Sequence, residues 1–267
     1  MGRRYVFFDI DGTLVSYAGG TGHIPDATRR AVELLRRNGH VPAIATARGA
    51  FLARGVAEEL GIGLLVCCCG AHILNGTEVL SAVWLPEGAL RRLRGTVSEG
   101  FVRSAALDDR CVYMDDEDEA VRDYLDGQAG YPCIRPVAEL RRAFLMYSFS
   151  PDPSASPLFR EPIEGVVLDR TQHFIEARPA GTSKWRGILE AARRLGFAPG
   201  DVVAFGDGAN DAEMLRGASV GVAVGGAPDA VKAAADLVTD DIDAGGILRA
   251  CAEPVPNLTR LSRKIRT

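Results

Sequence analysis

Short apolar runs alternate with longer amphipathic segments over the first third of the chain. The runs and the turn residues that bound them predict, in order, a strand over 5–9, a helix over 26–37, a strand over 41–46, a helix over 51–60 and a strand over 64–69. Strands that alternate with helices in this way indicate a parallel sheet covered by helices. We therefore expect an α/β domain whose strands are buried on both faces.

The same alternation returns after about residue 181. It predicts helices over 183–195, 210–216 and 228–235, and strands over 201–205, 220–224 and 237–239. Because both ends of the chain carry one pattern, we expect residues 1–79 and 181–267 to form a single discontinuous domain.

The middle of the chain has no such regular alternation. Predicted strands cover 79–85, 101–107, 110–114, 143–149, 165–168 and 173–177, with helices over 86–98 and 117–127. Strands and helices in this irregular order are typical of an α+β unit. Residues 80–180 are therefore predicted to be an inserted α+β domain.

The composition argues against two classes of partner. A net charge of −4 gives no electrostatic attraction to nucleic acid or anionic lipid. No apolar stretch approaches the length of a membrane span. The first predicted strand leaves no room for a cleavable signal before it, so we expect a cytoplasmic protein. No feature of the sequence indicates an oligomeric state.

The six cysteines do not have the spacing of a zinc site or of a disulfide framework. Three of them are consecutive and end an apolar run, which is typical of small side chains that fill a core. We expect all six to be packing residues: Cys67, Cys68, Cys69, Cys111, Cys133 and Cys251.

Two carboxylates, Asp9 and Asp11, come directly after the apolar run 5–8 and lead into the turn at Gly12. Ligands of open α/β sheets bind beyond the carboxyl ends of the strands, which is where Asp9 is expected to lie. Two neighbouring carboxylates beside an apolar strand are costly unless they are paired, hydrogen-bonded or bound to a metal. A lone Asp-Gly pair is more often a simple turn, but a divalent cation would stabilise both charges.

A second acidic segment follows the apolar run 202–205 and contains Asp207, Asn210 and Asp211. Two further polar residues stand between the acidic segments in sequence. Thr46 follows the apolar run 41–45, and Lys184 lies near the start of the predicted helix over 183–195. Each of these signals is weak alone, and their order along the chain gives them meaning.

These four segments resemble the motifs of the haloacid dehalogenase superfamily, and the insert resembles that of its type IIB, Cof-like branch. The resemblance implies a Rossmann-like core with a parallel sheet flanked by helices, plus an inserted α+β cap of type C2B. It also implies that Asp9 is the nucleophile and Asp11 the general acid and base. Thr46 and Lys184 would stabilise the transferring phosphoryl group, and Arg48 and Asn210 would contact the substrate.

The same resemblance implies a magnesium site. Its ligands would be Asp9, the backbone carbonyl of Asp11 and Asp207, with Asp211 supporting or joining them. Oxygen ligands suit Mg²⁺, which keeps several waters and shares itself with substrate phosphate.

The predicted function is hydrolysis of a small phosphorylated metabolite through an aspartyl-phosphate. A sugar phosphate is the first expectation, with FMN and pyridoxal phosphate as further candidates, and residues 80–180 would select among them. Two other functions stay open: a phosphomutase, and a phosphometabolite-binding regulatory module with vestigial turnover. The chain departs from the branch at Cys69, where asparagine is usual, and at Ala47 and Trp185, where glycine is common. Ala47 and Trp185 would narrow or reshape the pocket, and Cys69 would lack the support that asparagine gives the site.

Overall fold

The computed structural model describes residues 2–98, 103–114, 133–149, 162–170 and 175–252. Within them an eight-stranded sheet forms the larger layer, with the strand order β14-β13-β12-β1-β2-β3-β4-β5. Its strands are β1 Tyr5–Phe8, β2 Val41–Ala45, β3 Leu64–Cys67, β4 His72–Asn75, β5 Glu78–Ala82, β12 Val202–Gly206, β13 Val220–Ala223 and β14 Leu237–Val238. The Rossmann-like core is thereby confirmed.

The sheet is mixed and not wholly parallel. Six strands from β14 to β3 are parallel, whereas β4 and β5 add two antiparallel strands at one edge. No strand is predicted where β4 lies, and most of β5 falls within the predicted insert of residues 80–180. β4 is hard to predict because the run from Leu64 to Leu74 is apolar almost throughout. It has no alternation of apolar and polar residues that would separate β3 from β4.

Helices cover both faces of this sheet. They are α1 Asp26–Arg37, α2 Ala50–Leu60, α4 Lys184–Leu195, α5 Ala212–Gly217, α6 Asp229–Lys232 and α7 Gly246–Ala252. Consecutive residues of β1 serve opposite faces: Phe8 packs in the cluster with α1 and α2, and Phe7 packs in the cluster with α4 and α5. Both rings are completely buried, as expected for a central parallel strand.

A second sheet of six strands has the order β10-β11-β9-β6-β7-β8. Its strands are β6 Arg103–Leu107, β7 Val112–Met114, β8 Ile134–Arg135, β9 Leu145–Phe149, β10 Val166–Arg170 and β11 Ile175–Pro179, and helix α3 Glu87–Ser98 precedes them. Ala89 and Leu90 of α3 pack in an apolar cluster with Met146. Leu107 and Tyr147 of the same sheet instead join the large cluster of the first sheet. The six-stranded sheet therefore packs against the core, as a cap does.

The division into domains stays a prediction. Its first boundary, between residues 79 and 80, falls inside β5, and all of β5 pairs with β4 in the larger sheet. The predicted helix over 117–127 lies outside the described residues. Among the described helices, none has the length and apolar character needed to cross a lipid bilayer.

The prediction that all six cysteines are packing residues is wrong for two of them. Cys111 and Cys133 form a disulfide between residues that flank β7 and β8. These two strands are hydrogen-bonded neighbours, which brings the Cα atoms to 4.7 Å. Such a pair depends on the fold of the sheet, so spacing along the chain does not reveal it. Cys67, Cys68, Cys69 and Cys251 are free and buried, as predicted.

Candidate active site at the carboxyl edge of the core sheet

The central strands end at one level of the sheet. Phe8 of β1 lies opposite Ile44 of β2 and Phe205 of β12. The backbone N–H of Asp9 continues this pairing, since it donates to the carbonyl of Phe205 at 3.0 Å. The residues that follow the strands therefore share one edge, which brings Asp9 and Asp207 together.

Gly12 makes the turn that lets the two acidic segments approach. Its φ of +79° lies in the left-handed region, which glycine adopts without cost. A Cβ atom at this position would lie 2.3 Å from Oδ2 of Asp207. The next residue, Thr13, donates its hydroxyl to Oδ1 of Asp207 at 2.7 Å. Gly12 and Thr13 thus fix where the Asp207 carboxylate lies.

Asp9, Asp207 and Asp211 form a cluster in which one carboxylate oxygen from each lies within 4.8 Å of the others. Lys184 enters this cluster from the first turn of α4. Its Nζ donates to Oδ1 of Asp9 at 2.7 Å and to Oδ1 of Asp211 at 2.6 Å. Lys184 is 1% exposed, so these two ion pairs are shielded from water.

Asp211 is the most completely bonded member of the cluster. Besides Lys184, it accepts hydrogen bonds on Oδ2 from the backbone N–H groups of Asp207 and Gly208, at 3.0 and 2.8 Å. A side chain at Gly206 would overlap it, because a Cβ there would lie 2.5 Å from the Cβ of Asp211. Both oxygens of Asp211 are therefore occupied by protein groups.

The cluster carries more negative than positive charge. Burial is the largest cause that raises the pKa of Asp9 well above its ordinary value; Lys184 opposes it, and the carboxylates of Asp211 and Asp207 add to it. Burial likewise raises the pKa of Asp207 to about 6, against the hydrogen bond from Thr13. Three carboxylates share one ammonium in this cluster. Their oxygen atoms are the kind of metal ligand that a hard divalent cation such as Mg²⁺ prefers. The cluster is thus a site that could hold a metal ion.

Asp11 has a different environment from Asp9. Arg48 donates from Nε to Oδ2 at 3.0 Å and from Nη2 to Oδ1 at 2.5 Å, and the Tyr17 hydroxyl also donates to Oδ1. Burial alone would raise the pKa of Asp11, but the hydrogen bonds and the charge of Arg48, with the bond from Tyr17, outweigh it and lower that pKa.

Thr46 lies at the same edge and is completely buried. Its hydroxyl oxygen accepts from the backbone N–H of Arg48 at 3.1 Å, and its carbonyl accepts from the N–H of Cys69 at 3.0 Å. Cys69, which stands where the branch has asparagine, has a left-handed backbone with φ of 49°. Asparagine tolerates that conformation better than most residues, which gives a backbone reason for its usual presence there.

Two predicted features lie apart from the cluster. Asn210 is exposed on the turn Ala209–Asp211, and no hydrogen bond within the described part of the chain joins it to the other predicted site residues. Trp185 packs against Gly217, where a Cβ would meet its ring at 2.3 Å, and belongs to the second apolar cluster. Its bulk is therefore accommodated by α5 and not by the acidic cluster.

Sequence reasoning missed two residues that contact the acidic groups. Thr13 and Tyr17 lie in the loop after Asp11, where neither periodicity nor spacing singles them out. A hydroxyl two residues after Asp11 was a weak available signal for Thr13. The contact of Tyr17 with Arg48 depends on how two distant loops meet, so no sequence signal was available for it.

Comparison with known proteins agrees with this geometry. The profile of the family described as haloacid dehalogenase-like hydrolase matches residues 6–251. YkrA of Bacillus subtilis (strain 168) is 33% identical over 95% of this chain and 98% of its own length. The 5-amino-6-(5-phospho-D-ribitylamino)uracil phosphatase YcsE of the same organism is 38% identical over 92% of this chain and 94% of its own.

A solved structure extends the match to the cap. The subclass IIB sugar phosphatase BT4131 superposes with a TM-score of 0.80 at 29% identity, over 92% of this chain and 97% of the other. The prediction of the family from the motifs is thereby confirmed. The chain belongs to the haloacid dehalogenase-like hydrolases and is a phosphatase of their subclass IIB, Cof-like branch.

Proposed function

We propose that this protein is a Mg²⁺-dependent phosphatase of a small phosphorylated metabolite, and that it acts through an aspartyl-phosphate on Asp9. The observation that carries the proposal is the buried cluster of Asp9, Asp207 and Asp211 around Lys184, at the carboxyl edge of the core sheet. Among the described residues no hydrogen bond ends on Oδ2 of Asp9, which leaves this oxygen for attack on phosphorus.

Asp11 serves as general acid and base. In the first half-reaction the bond from Asp9 to phosphorus forms, the bond from phosphorus to the leaving oxygen breaks, and Asp11 gives a proton to that oxygen. In the second, Asp11 takes a proton from the attacking water, the water oxygen bonds to phosphorus, and the bond from phosphorus to Asp9 breaks, which releases inorganic phosphate. Proton transfer of this kind contributes about 10²–10⁴-fold to a rate.

The remaining residues bind and neutralise the phosphoryl group. Lys184 is charged, because Asp211 and Asp9 raise its pKa although burial alone would lower it. Thr46 accepts from a backbone N–H, so its own proton is available for a phosphoryl oxygen. Arg48 binds the substrate from the same side as Asp11, and Asn210 reaches it from the exposed turn.

Asp9, Asp207 and the backbone carbonyl of Asp11 would hold Mg²⁺. When bound there, the ion supplies positive charge that offsets the carboxylates and the phosphoryl oxygens. We assign Asp211 a supporting role, because Lys184 and two backbone N–H groups already occupy its oxygens.

A sugar phosphate is the substrate class that we propose. BT4131 is named as a sugar phosphatase, and the name of YcsE describes a phosphorylated ribityl compound. A sugar phosphate and a phosphorylated ribityl compound both have a polyhydroxyl chain next to the phosphate. FMN and pyridoxal phosphate join the test as alternative substrates.

The test is phosphate release from a panel of sugar phosphates, FMN, pyridoxal phosphate and p-nitrophenyl phosphate, with Mg²⁺ and with chelator. Wild type is compared with Asp9→Asn, with Asp11→Asn and with Asp229→Asn, whose carboxylate is exposed. We expect no release from Asp9→Asn, a loss of about 100-fold or more from Asp11→Asn, and an unchanged rate from Asp229→Asn.

Other outcomes would replace the proposal. Full activity in Asp9→Asn, or equal activity in chelator, would refute the mechanism. Interconversion of two sugar phosphates without phosphate release would identify a phosphomutase. Tight binding of one phosphorylated compound with negligible hydrolysis across the panel would identify a regulatory module.

A further inference from the structure

The hydroxyl of Tyr17 belongs to a closed set of hydrogen bonds around Asp11. It donates to Oδ1 of Asp11, and it accepts from Nη2 of Arg48 at 2.8 Å. The same Nη2 also donates to Oδ1 of Asp11 at 2.5 Å. Each of the three side chains is therefore bonded to the other two.

The loop that carries Tyr17 is anchored on both sides. Ser16 and His23 exchange two backbone hydrogen bonds, at 2.8 and 2.9 Å. The Ser16 hydroxyl donates to Asp243 at 2.9 Å, which ties the loop to the far end of the chain. The Tyr17 ring lies directly against Gly22, where a Cβ would be 3.0 Å from Cε1. Tyr17 is thus held in place although it is 36% exposed.

The two partners of Asp11 differ in what they can offer. Arg48 is positively charged and has only donors, whereas the Tyr17 hydroxyl is neutral. A tyrosine hydroxyl can donate and accept. Arg48 is also one of the groups that the substrate phosphate would attract, because a guanidinium binds phosphate oxygens well. Because the phosphate competes for Arg48 and not for the neutral phenol, Tyr17 is the partner that stays with Asp11 when substrate binds.

We propose that Tyr17 is a positioning residue, which holds the Asp11 carboxyl in line with the leaving oxygen during proton transfer. This inference rests on the proposed function. It assigns to Tyr17 no contact with substrate, only the orientation of Asp11.

The variant Tyr17→Phe tests the proposal, because it removes the hydroxyl and keeps the ring. The readout is kcat/KM, which covers the steps up to departure of the leaving group, for two substrates. A sugar or other alkyl phosphate releases a poor leaving group that needs the proton of Asp11. The p-nitrophenyl phosphate ester releases a phenolate that hardly needs it.

We expect kcat/KM of Tyr17→Phe to fall about 10-fold or more on the alkyl phosphate, because the variant forfeits part of the acid contribution. On p-nitrophenyl phosphate it should fall less than about threefold, by the same reasoning. Tyr5→Phe is the matched control. It removes a hydroxyl from the opposite end of β1, where Tyr5 stacks on Phe197, and should change neither value.

Equal losses on the two substrates, or no loss on either, would overturn the positioning role. Absence of phosphate release from wild type would instead refute the proposed function, so the two failures are distinguishable. If Tyr17→Phe does not fold, Gly22→Ala applies the same comparison. Its methyl group displaces the Tyr17 ring without removing the hydroxyl, and a smaller loss confined to the alkyl phosphate is expected.

Discussion

Removal of the Lys184 ammonium is the most direct test of the acidic cluster. The variant Lys184→Met keeps a long unbranched side chain and deletes the only cation that contacts both Asp9 and Asp211 in the described residues. Lys184 and Asp211 are 1% and 0% exposed, so water does not replace the lost charge without a rearrangement. The variant therefore leaves three carboxylates close together, and among the described residues no cationic side chain contacts them.

The size of the effect follows from these contacts. Removal of one partner of a buried ion pair costs about 3–5 kcal/mol, because the other charge is left buried and unpaired. Asp211 keeps two backbone N–H donors, and Asp9 can take up a proton. The total destabilisation is therefore smaller than the sum for two broken ion pairs. We expect the free energy of unfolding in chelator at neutral pH to fall by about 4 kcal/mol. The deficit should shrink as the pH falls, because protonation relieves the repulsion.

Urea unfolding in chelator and in Mg²⁺ measures this effect. Trp185, next to Lys184 on α4 and packed on Gly217, reports the unfolding of the core by its fluorescence. In the proposed metal site a cation at Asp9 and Asp207 would partly replace the lost charge, so Mg²⁺ should stabilise the variant more than wild type. Mg²⁺ at 100 times its Kd would add about 2.7 kcal/mol to the free energy of unfolding.

Lys232→Met is the matched control, since Lys232 makes no ion pair in the described part of the chain. A deficit of less than about 1 kcal/mol for Lys184→Met, well below the range for a broken buried pair, would refute the assignment of Lys184 as the charge partner of the cluster. An equal response of variant and wild type to Mg²⁺ would refute the link between this charge and the metal site.

Three further predictions concern the turn, the metal and the cap. Gly12→Ala should lose at least ~1–2 kcal/mol of stability from its left-handed backbone and should lose Mg²⁺ binding by calorimetric titration, because the methyl group overlaps Asp207. Mg²⁺ affinity should rise with pH through the pKa of Asp207 at about 6, because protons compete with the ion below that pH; equal affinities at pH 5 and 7 would contradict this. Reduction of Cys111–Cys133, at a sequence separation of 22, should destabilise the cap by about 3 kcal/mol in unfolding experiments, and Cys111→Ser should not respond to reductant.

Much of the geometry of the site could be predicted because it depends on strand ends. Asp9, Thr46 and Asp207 each follow a buried parallel strand, and neighbouring parallel strands end at one edge. The apolar runs predict the strands, and the ends of the strands bring the side chains together. This prediction requires no knowledge of individual contacts. Lys184 was predictable only through the family resemblance, because a lysine in the first turn of a helix is usually solvated. The roles of these residues stay predictions.

The rest depends on contacts between loops and between strands that sequence patterns do not encode. Tyr17 reaches Asp11 through a turn closed by Ser16 and His23, and Arg48 reaches the same carboxylate from another loop. The Cys111–Cys133 disulfide follows from the pairing of β7 with β8, where β8 has two residues and is too short for a periodic signal. In both cases tertiary structure, not local propensity, decides the contact.

Asp9 and Asp11 show how tertiary contacts affect the chemistry of neighbouring residues. They stand one residue apart, yet burial among carboxylates raises the pKa of Asp9, and Arg48 with Tyr17 lowers that of Asp11. A nucleophile must be ionised and a general acid protonated, so both shifts must reverse before the reaction. A nearby cation favours the ionised form of a carboxylate, and a phosphate that attracts Arg48 removes donors from Asp11. We therefore propose that binding of metal and substrate supplies the two changes that the aspartyl-phosphate mechanism requires, and that Tyr17 keeps Asp11 in place while they occur.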